Sequence, residues 1–89
     1  MRNYKILWKK SAIKEITKIP KEIALNIYDS ISGLKNNPRK KGSRKLRGSE
    51  VLYRIRVNEY RVIYSIYDDI LVVEIIKIAH RKEVYRSLH

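Results

Sequence analysis

The sequence contains no cysteine, no phenylalanine and only three glycines and two prolines. Without cysteine, neither a disulfide nor a thiolate metal site can support the fold, and this composition fits the cytoplasm. No apolar run reaches the ~18 residues of a membrane span, and the first residues do not lead into a signal-peptide core. Linkers, repeats and low-complexity tracts are also missing. These absences predict one soluble cytoplasmic domain of 89 residues that does not associate with a membrane.

Acidic residues are scarce as well, because 9 Asp and Glu stand against 21 Lys and Arg, a net charge of +12. An excess of this size attracts polyanions. The charge is concentrated: residues 38–61 hold nine basic and two acidic side chains, whereas residues 62–76 hold three acidic and no basic ones. This distribution favours a nucleic acid as partner, although an acidic protein or an anionic lipid surface would also suit it.

The first part of the chain predicts a strand and two helices. Residues 3–8 alternate between apolar and polar side chains. Ser11 is the expected N-cap of the first helix, in which Ile13 and Ile16 begin an apolar stripe. Pro20 suits the first turn of the second helix, whose apolar stripe comprises Ile23, Ile27, Ile31 and Leu34. Both stripes are expected to pack against the core rather than against a partner.

After the basic stretch "RKKGSRKLRGS", the apolar period changes from 3.6 to 2. Residues 52–57, 60–67 and 70–79 are rich in Val, Ile and Tyr and are separated by two short polar breaks, which predicts an antiparallel meander with short hairpins. A short C-terminal helix is predicted over residues 82–88. The predicted fold is therefore α+β: an antiparallel sheet of about four strands with two N-terminal helices packed on it, in the order β-α-α-β-β-β.

The segment "YRIRVNEYRVIY" predicts a cluster of arginines on one face of the sheet. A two-residue turn at Asn58 and Glu59 would pair Arg56 with Arg61 and place Arg54 on the same face. The other face would be a core face, comprising Tyr53, Ile55, Val57, Val62 and Tyr64. Like charges opposite each other cost some tenths of a kcal/mol, roughly 0.2 or more. Two interpretations explain why the sequence has like charges here despite this cost. The face could bind anions, since guanidinium groups match phosphate, or it could be a charged face that keeps the sheet soluble.

The second informative segment is "IAHRKEVYR", in which His80 and Arg81 end the last predicted strand and Tyr85 follows. Histidine changes its protonation near neutral pH, so His80 beside an arginine cluster is a candidate general acid or base. No set of His, Asp and Glu has the spacing of metal ligands, and no Ser-His-Asp set can be assembled. The sequence therefore predicts neither a metal nor another cofactor.

Four short motifs, in order and at consistent separations, resemble the RelE/ParE toxin superfamily: "KLRG" (45–48), "YRIRV" (53–57), "YRVIY" (60–64) and "HRKEVY" (80–85). The last motif is similar to the RelE branch. That resemblance implies an endoribonuclease toxin that cleaves mRNA, in many members in the A site of a translating ribosome. It also implies a cognate antitoxin encoded beside the toxin, with which it forms a hetero-oligomeric complex.

The resemblance also assigns roles to residues by their position in the motifs. Arg61 and Arg81 match the arginines that hold the scissile phosphate, and Tyr85 matches a tyrosine near the attacking nucleotide. Arg47 matches a basic residue that contacts the RNA backbone, and Arg54 and Arg56 match two positions that are usually lysine. Together with the basic loop, which contributes Lys41, Arg44 and Lys45, these arginines are expected to bind flanking phosphates or 16S rRNA.

Arg56 departs from the family pattern, because founding RelE toxins have a lysine there that is thought to help proton transfer. An arginine stays protonated at neutral pH, so it stabilises charge but is a poor base. His80 is then the better candidate base, with Tyr85 second. Two alternatives stay open: a toxin of the ParE branch, which inhibits DNA gyrase and cleaves nothing, and a nucleic-acid-binding module without catalysis.

Overall fold

A computed structural model of the chain describes residues 3–83 and shows two helices packed on a five-stranded sheet. The predicted α+β class is confirmed. Tyr85 and all but the first two residues of the C-terminal helix predicted over 82–88 lie outside the described residues. In chain order the elements are β1 (Lys5–Trp8), α1 (Lys10–Thr17), α2 (Lys21–Gly33), β2 (Arg44–Lys45), β3 (Leu52–Val57), β4 (Tyr60–Tyr67) and β5 (Val72–His80).

The strands lie in the order β1-β5-β4-β3-β2, in which β3, β4 and β5 form the predicted antiparallel meander. Two features differ from the prediction of about four antiparallel strands. First, β1 runs parallel to β5, with Lys5 beside Val72, which is possible because the helices and the meander form a long crossover between them. Second, two residues of the predicted basic loop pair with the edge of β3 as the strand β2. The sheet is therefore mixed.

The start of α1 is set by the sheet rather than by a polar cap. The predicted N-cap at Ser11 is wrong, because the N-cap is Lys9, two residues earlier, and it makes no side-chain cap hydrogen bond. Instead, the Lys9 N–H donates to the Ile75 carbonyl of β5 at 3.0 Å. The apolar stripe of α1 is also narrower than expected, since Ile16 is buried but Ile13 is 48% exposed.

The apolar stripe of α2 is confirmed, and it forms the main helical contribution to the core. The helix starts immediately after Pro20, which is its N-cap, and Ile27, Ile31 and Leu34 are almost fully buried. Burial of a side chain of this size stabilises the fold by about 1.5–3 kcal/mol before entropy costs. No helix in residues 3–83 is long and apolar enough to cross a membrane. The sheet contributes Ile55, Val57, Val62, Tyr64, Ile66, Val73, Ile75 and Ile78 to the same core.

The hairpin between β3 and β4 has the predicted register, in which Arg56 faces Arg61 and Ile55 faces Val62. Its two-residue turn requires a left-handed backbone at Asn58, where φ is 55°. Asparagine tolerates this conformation better than most other residues with a side chain, which explains its place in the turn.

The next connection is longer than the two-residue break that the sequence predicts. The last strand begins at Val72 rather than at Ile70, which is 64% exposed. Leu71 takes a left-handed conformation with φ of 54°, and its carbonyl accepts a hydrogen bond of 2.8 Å from Lys5. Pairing with β1 therefore holds Leu71 outside the meander. The pairing of β4 with β5 also contains a register shift, which lies between Ile63 and Tyr64.

Asp68, in the same connection, joins the N-terminus to the loop after α2. Its carboxylate accepts hydrogen bonds from the Tyr4 hydroxyl at 2.6 Å and from both terminal nitrogens of Arg39 at 2.8 and 3.1 Å. Arg39 also donates to the Tyr53 hydroxyl at 3.0 Å, and these hydrogen bonds raise the pKa of Arg39. This arginine belongs to the basic segment by sequence, but in the structure it connects parts of the fold.

We predict that the buried Tyr64 makes stability decline at alkaline pH. Its hydroxyl donates to the Pro38 carbonyl at 2.7 Å, and burial raises the pKa of Tyr64 to about 12. The folded state therefore keeps a proton that the unfolded state loses above its ordinary pKa of about 10. The resulting stabilisation is complete below pH ~10 and is lost as the pH rises to ~12, by roughly 2–3 kcal/mol.

Urea unfolding of the wild type and of Tyr64→Phe between pH 7 and 12 measures this contribution. The variant should lose about 1 kcal/mol at pH 7, because the Pro38 carbonyl loses its donor, and should decline less steeply than the wild type above pH ~10. Tyr28→Phe, on the exposed side of α2, is the control and should keep the wild-type slope. Equal slopes for wild type and Tyr64→Phe would contradict the prediction.

Candidate functional site

One face of the sheet points away from the core and carries arginines from three adjacent strands. Arg44 of β2 faces Arg54 of β3, and Arg56 of β3 faces Arg61 of β4. Side chains of directly opposite residues lie on the same face of a sheet, so these four form one continuous cluster. We call this surface the arginine face. The sequence predicted three of its members, and the short strand β2 adds Arg44.

Arg81 joins the arginine face through the turn between β3 and β4. Its backbone N–H donates to the Glu59 carbonyl at 2.8 Å, and its side-chain Nε lies 2.8 Å from Glu59 Oε2. The residue before it, His80, is held opposite Tyr60 by the pairing of β5 with β4. Contacts made through both backbone and side chain therefore fix where Arg81 leaves the sheet.

Glu59 also contacts a second arginine. Its Oε1 lies 3.7 Å from a terminal nitrogen of Arg56, whose Nε donates to the Asn58 carbonyl at 3.1 Å. The two carboxylate oxygens are thus divided between Arg56 and Arg81. The side chains of the three charged residues are 47–53% exposed, so the group is open to solvent and to a ligand.

The remaining basic residues predicted from the sequence occupy different surroundings. Arg47 and Lys41 are exposed in the loops on either side of β2. Lys45 faces Tyr53 and so points to the side opposite Arg44, where its Nζ lies 3.3 Å from the Glu50 carboxylate. Arg47 and Lys41 therefore extend the positive surface along the loops, while Lys45 does not lie on the arginine face.

His80 does not lie on the arginine face either. The register pairs Arg61 with Ala79, so the adjacent His80 points to the other side of β5, where its ring packs edge-on against Tyr60 at 5.7 Å. Its Nδ1 accepts a hydrogen bond of 3.2 Å from the Lys82 N–H. His80 is thus at the end of the strand, next to Arg81 in the chain but on the opposite face. Tyr85 lies outside the described residues.

This arrangement is suited to binding an extended polyanion. Each guanidinium group offers up to five N–H donors in a planar fork and stays protonated at neutral pH. The cluster spans several neighbouring positions of the sheet, so it can contact more than one phosphate of a strand. Within residues 3–83, no three His, Cys, Asp or Glu side chains come together in a way that could hold a metal ion.

Sequence reasoning missed Glu59 as a member of the site and treated it only as a turn residue. The signal that could have found it is the register of β4 and β5, which brings Arg81 beside the turn. That register depends on the shift between Ile63 and Tyr64, which the apolar pattern does not reveal.

The chain is similar to known toxins. A family model described as the ParE toxin of type II toxin-antitoxin systems matches residues 6–85. The toxin RelE of Mycobacterium tuberculosis is 36% identical over 77 residues, which cover 85% of this chain and 79% of that protein. The chain therefore belongs to the RelE/ParE superfamily of type II toxins.

Solved structures agree with this assignment. The archaeal RelE–RelB complex from Pyrococcus horikoshii contains a chain with a TM-score of 0.78 and 31% identity, covering 89% of this chain and 96% of that one. The isolated RelE toxin of E. coli has a TM-score of 0.78 and 27% identity, covering 96% of this chain and 94% of that one. Both comparisons extend over nearly the whole fold, including the meander that carries the arginine face.

We predict that the arginine face binds polyanions beyond what net charge explains. Arg56→Gln and Lys10→Gln each remove one positive charge, but Lys10 is exposed at the start of α1, away from this face. Arg56→Gln should elute from a heparin column at clearly lower salt than Lys10→Gln. Its unfolding free energy should change by less than ~0.5 kcal/mol, because an exposed ion pair and a like-charge contact are lost together. Equal elution of both variants would indicate a merely solubilising face.

Proposed function

We propose that this chain is an endoribonuclease that cleaves mRNA, bound in the ribosomal A site, and so inhibits translation. The observation that supports this most is the convergence of Arg56, Arg61 and Arg81 at one end of the arginine face. A scissile phosphate gains negative charge in the transition state, and preorganised donors stabilise that charge where it develops. The relatives named RelE support the same branch of the superfamily.

The reaction is an internal phosphoryl transfer. The 2′-oxygen of the ribose attacks the adjacent phosphorus, the bond from phosphorus to the 5′-oxygen breaks, and the 2′-hydroxyl proton leaves while the 5′-oxygen gains one. The products are a 2′,3′-cyclic phosphate, which water can open to a 3′-phosphate, and a 5′-hydroxyl end. Arg61 and Arg81 stabilise the phosphorane oxygens, with a contribution of about 3–4 kcal/mol for a well-placed donor.

The proton transfers are assigned to His80, the histidine next to Arg81, and to Tyr85, which the resemblance to the RelE branch matches to a tyrosine near the attacking nucleotide. His80 is the candidate base for the 2′-hydroxyl proton, with Tyr85 second, and to act through Nδ1 it must give up the hydrogen bond that this nitrogen accepts from the Lys82 N–H. An RNA strand that crosses the end of β5 would contact both Arg81 and the ring on the other side. Arg56 contributes positive charge but does not act as the base. General acid or base catalysis of this kind contributes about 10²–10⁴-fold.

The remaining basic residues bind the flanking chain. Arg44 and Arg54 continue the arginine face away from the scissile phosphate, and Arg47 and Lys41 extend it along the loops. These contacts are to phosphates of mRNA or 16S rRNA, and affinity should therefore fall as salt rises. Lys45 is expected to contribute only after it leaves Glu50.

The proposed inhibitor of this activity is a cognate antitoxin encoded by a neighbouring gene. The P. horikoshii and M. tuberculosis structures are complexes of a RelE toxin with its RelB partner or of a RelBE pair. Expression of this chain alone should arrest growth, and co-expression of the neighbouring gene product should restore it and yield a hetero-oligomer in gel filtration. Restored growth without a complex would contradict direct inhibition by the antitoxin.

The decisive test is primer extension on a defined mRNA with and without stalled ribosomes, comparing the wild type with Arg81→Ala. We expect ribosome-dependent cleavage that falls by ~10²–10³-fold in the variant, because one transition-state donor is lost. A 2′-deoxy nucleotide at the cleaved position should abolish cleavage while leaving binding intact. Lys10→Ala is the control and should cleave as the wild type does.

Other outcomes assign the function differently. Cleavage of free RNA would keep the nuclease and remove the ribosome from the mechanism. Intact mRNA in both settings, together with inhibited DNA supercoiling by gyrase, would identify a toxin acting as the ParE branch does. The description of the matching family model favours this second candidate. Salt-sensitive RNA binding with neither activity would leave a nucleic-acid-binding module.

A further inference from the structure

The carboxylate of Glu59 lies between Arg56 and Arg81 and so engages one of the two arginines, Arg81, that the proposed reaction assigns to the scissile phosphate. One oxygen lies 2.8 Å from Arg81 Nε and the other lies 3.7 Å from a terminal nitrogen of Arg56. A phosphodiester likewise presents two non-bridging anionic oxygens, and both groups bind guanidinium through charge-assisted hydrogen bonds. The same N–H donors cannot serve the carboxylate and a phosphate fully at once.

The backbone makes this arrangement specific rather than incidental. Glu59 is in the two-residue turn whose left-handed Asn58 fixes the hairpin, and its carbonyl accepts the Arg81 N–H at 2.8 Å. The carboxylate is therefore held beside Arg81 by the same contact that positions the arginine. Its side chain is 53% exposed, so it can swing into solvent without disturbing the core.

We propose that Glu59 is an internal competitor for phosphate, which keeps Arg56 and Arg81 in place on the free protein and is displaced when RNA binds. This inference rests on the proposed function, because it takes the displacing ligand to be the RNA backbone. Glu59 is thus a positioning residue that lowers RNA affinity. Exposed ion pairs are weak, so the two contacts together should reduce affinity by about fivefold.

The test uses a fluorescein-labelled 2′-O-methyl RNA, which cannot be cleaved because it has no free 2′-hydroxyl, and measures its affinity by fluorescence anisotropy. Glu59→Gln should bind about fivefold more tightly than the wild type. Glu22→Gln, on the exposed first turn of α2, makes the same change of net charge and should gain less than about twofold. Glu59→Asp keeps the carboxylate and should remain within about twofold of the wild type.

A background without the two arginines provides the sharper comparison. In Arg56→Gln/Arg81→Ala, the further change Glu59→Gln should gain no more affinity than Glu22→Gln does. Equal gains for Glu59→Gln and Glu22→Gln in the wild-type background would overturn the proposal, as would weaker binding by Glu59→Gln. Binding is measured here without cleavage, so the two proposals can fail separately. Loss of nuclease activity in every assay would refute the proposed function. The affinities of the Glu59 and Glu22 variants would still decide the role of Glu59.

Discussion

The pairing of β3 with β4 across the turn at Asn58 and Glu59 determines the rest of the molecule. A shift of one residue would exchange the two faces of the strands, turning Ile55 and Val62 away from the core and the arginines toward it. The left-handed backbone at Asn58 prevents this shift by fixing the length of the turn. One local conformation thus separates the surface that forms the core from the arginine face, the proposed binding surface.

The arginine face shows how a small domain tolerates charges that repel one another. Arg56 and Arg61 are directly opposite, an arrangement that costs stability in a sheet. The structure offsets this cost in two ways: Glu59 supplies negative charge at the end of the pair, and the core on the other face is almost completely buried. The core side of these strands therefore provides stability, and the proposed binding uses their other side.

Local patterns predicted those parts of the fold that local interactions decide. The period of the isoleucines placed α2, and the Asn58-Glu59 turn gave the register of the hairpin, hence the arginine cluster. Contacts between distant segments decided the rest. Ser11 could not act as a cap because Lys9 is held by Ile75, and β1 became parallel because its partner is the last strand. The apolar period of the sequence does not reveal such contacts. The role of Glu59 was not predicted for the same reason, because it depends on the pairing of β4 with β5 that brings Arg81 beside it.

The parallel pair of β1 and β5 bears on synthesis of the protein. Lys5 pairs with Val72, a residue that is synthesised 67 positions later. The strand β1 therefore has no partner strand until β5 has been synthesised, and contacts of such long sequence separation form slowly. A chain that stops before β5 lacks both this partner strand and Arg81. Premature termination before β5 therefore yields a fragment that can neither complete the sheet nor add Arg81 to the arginine face.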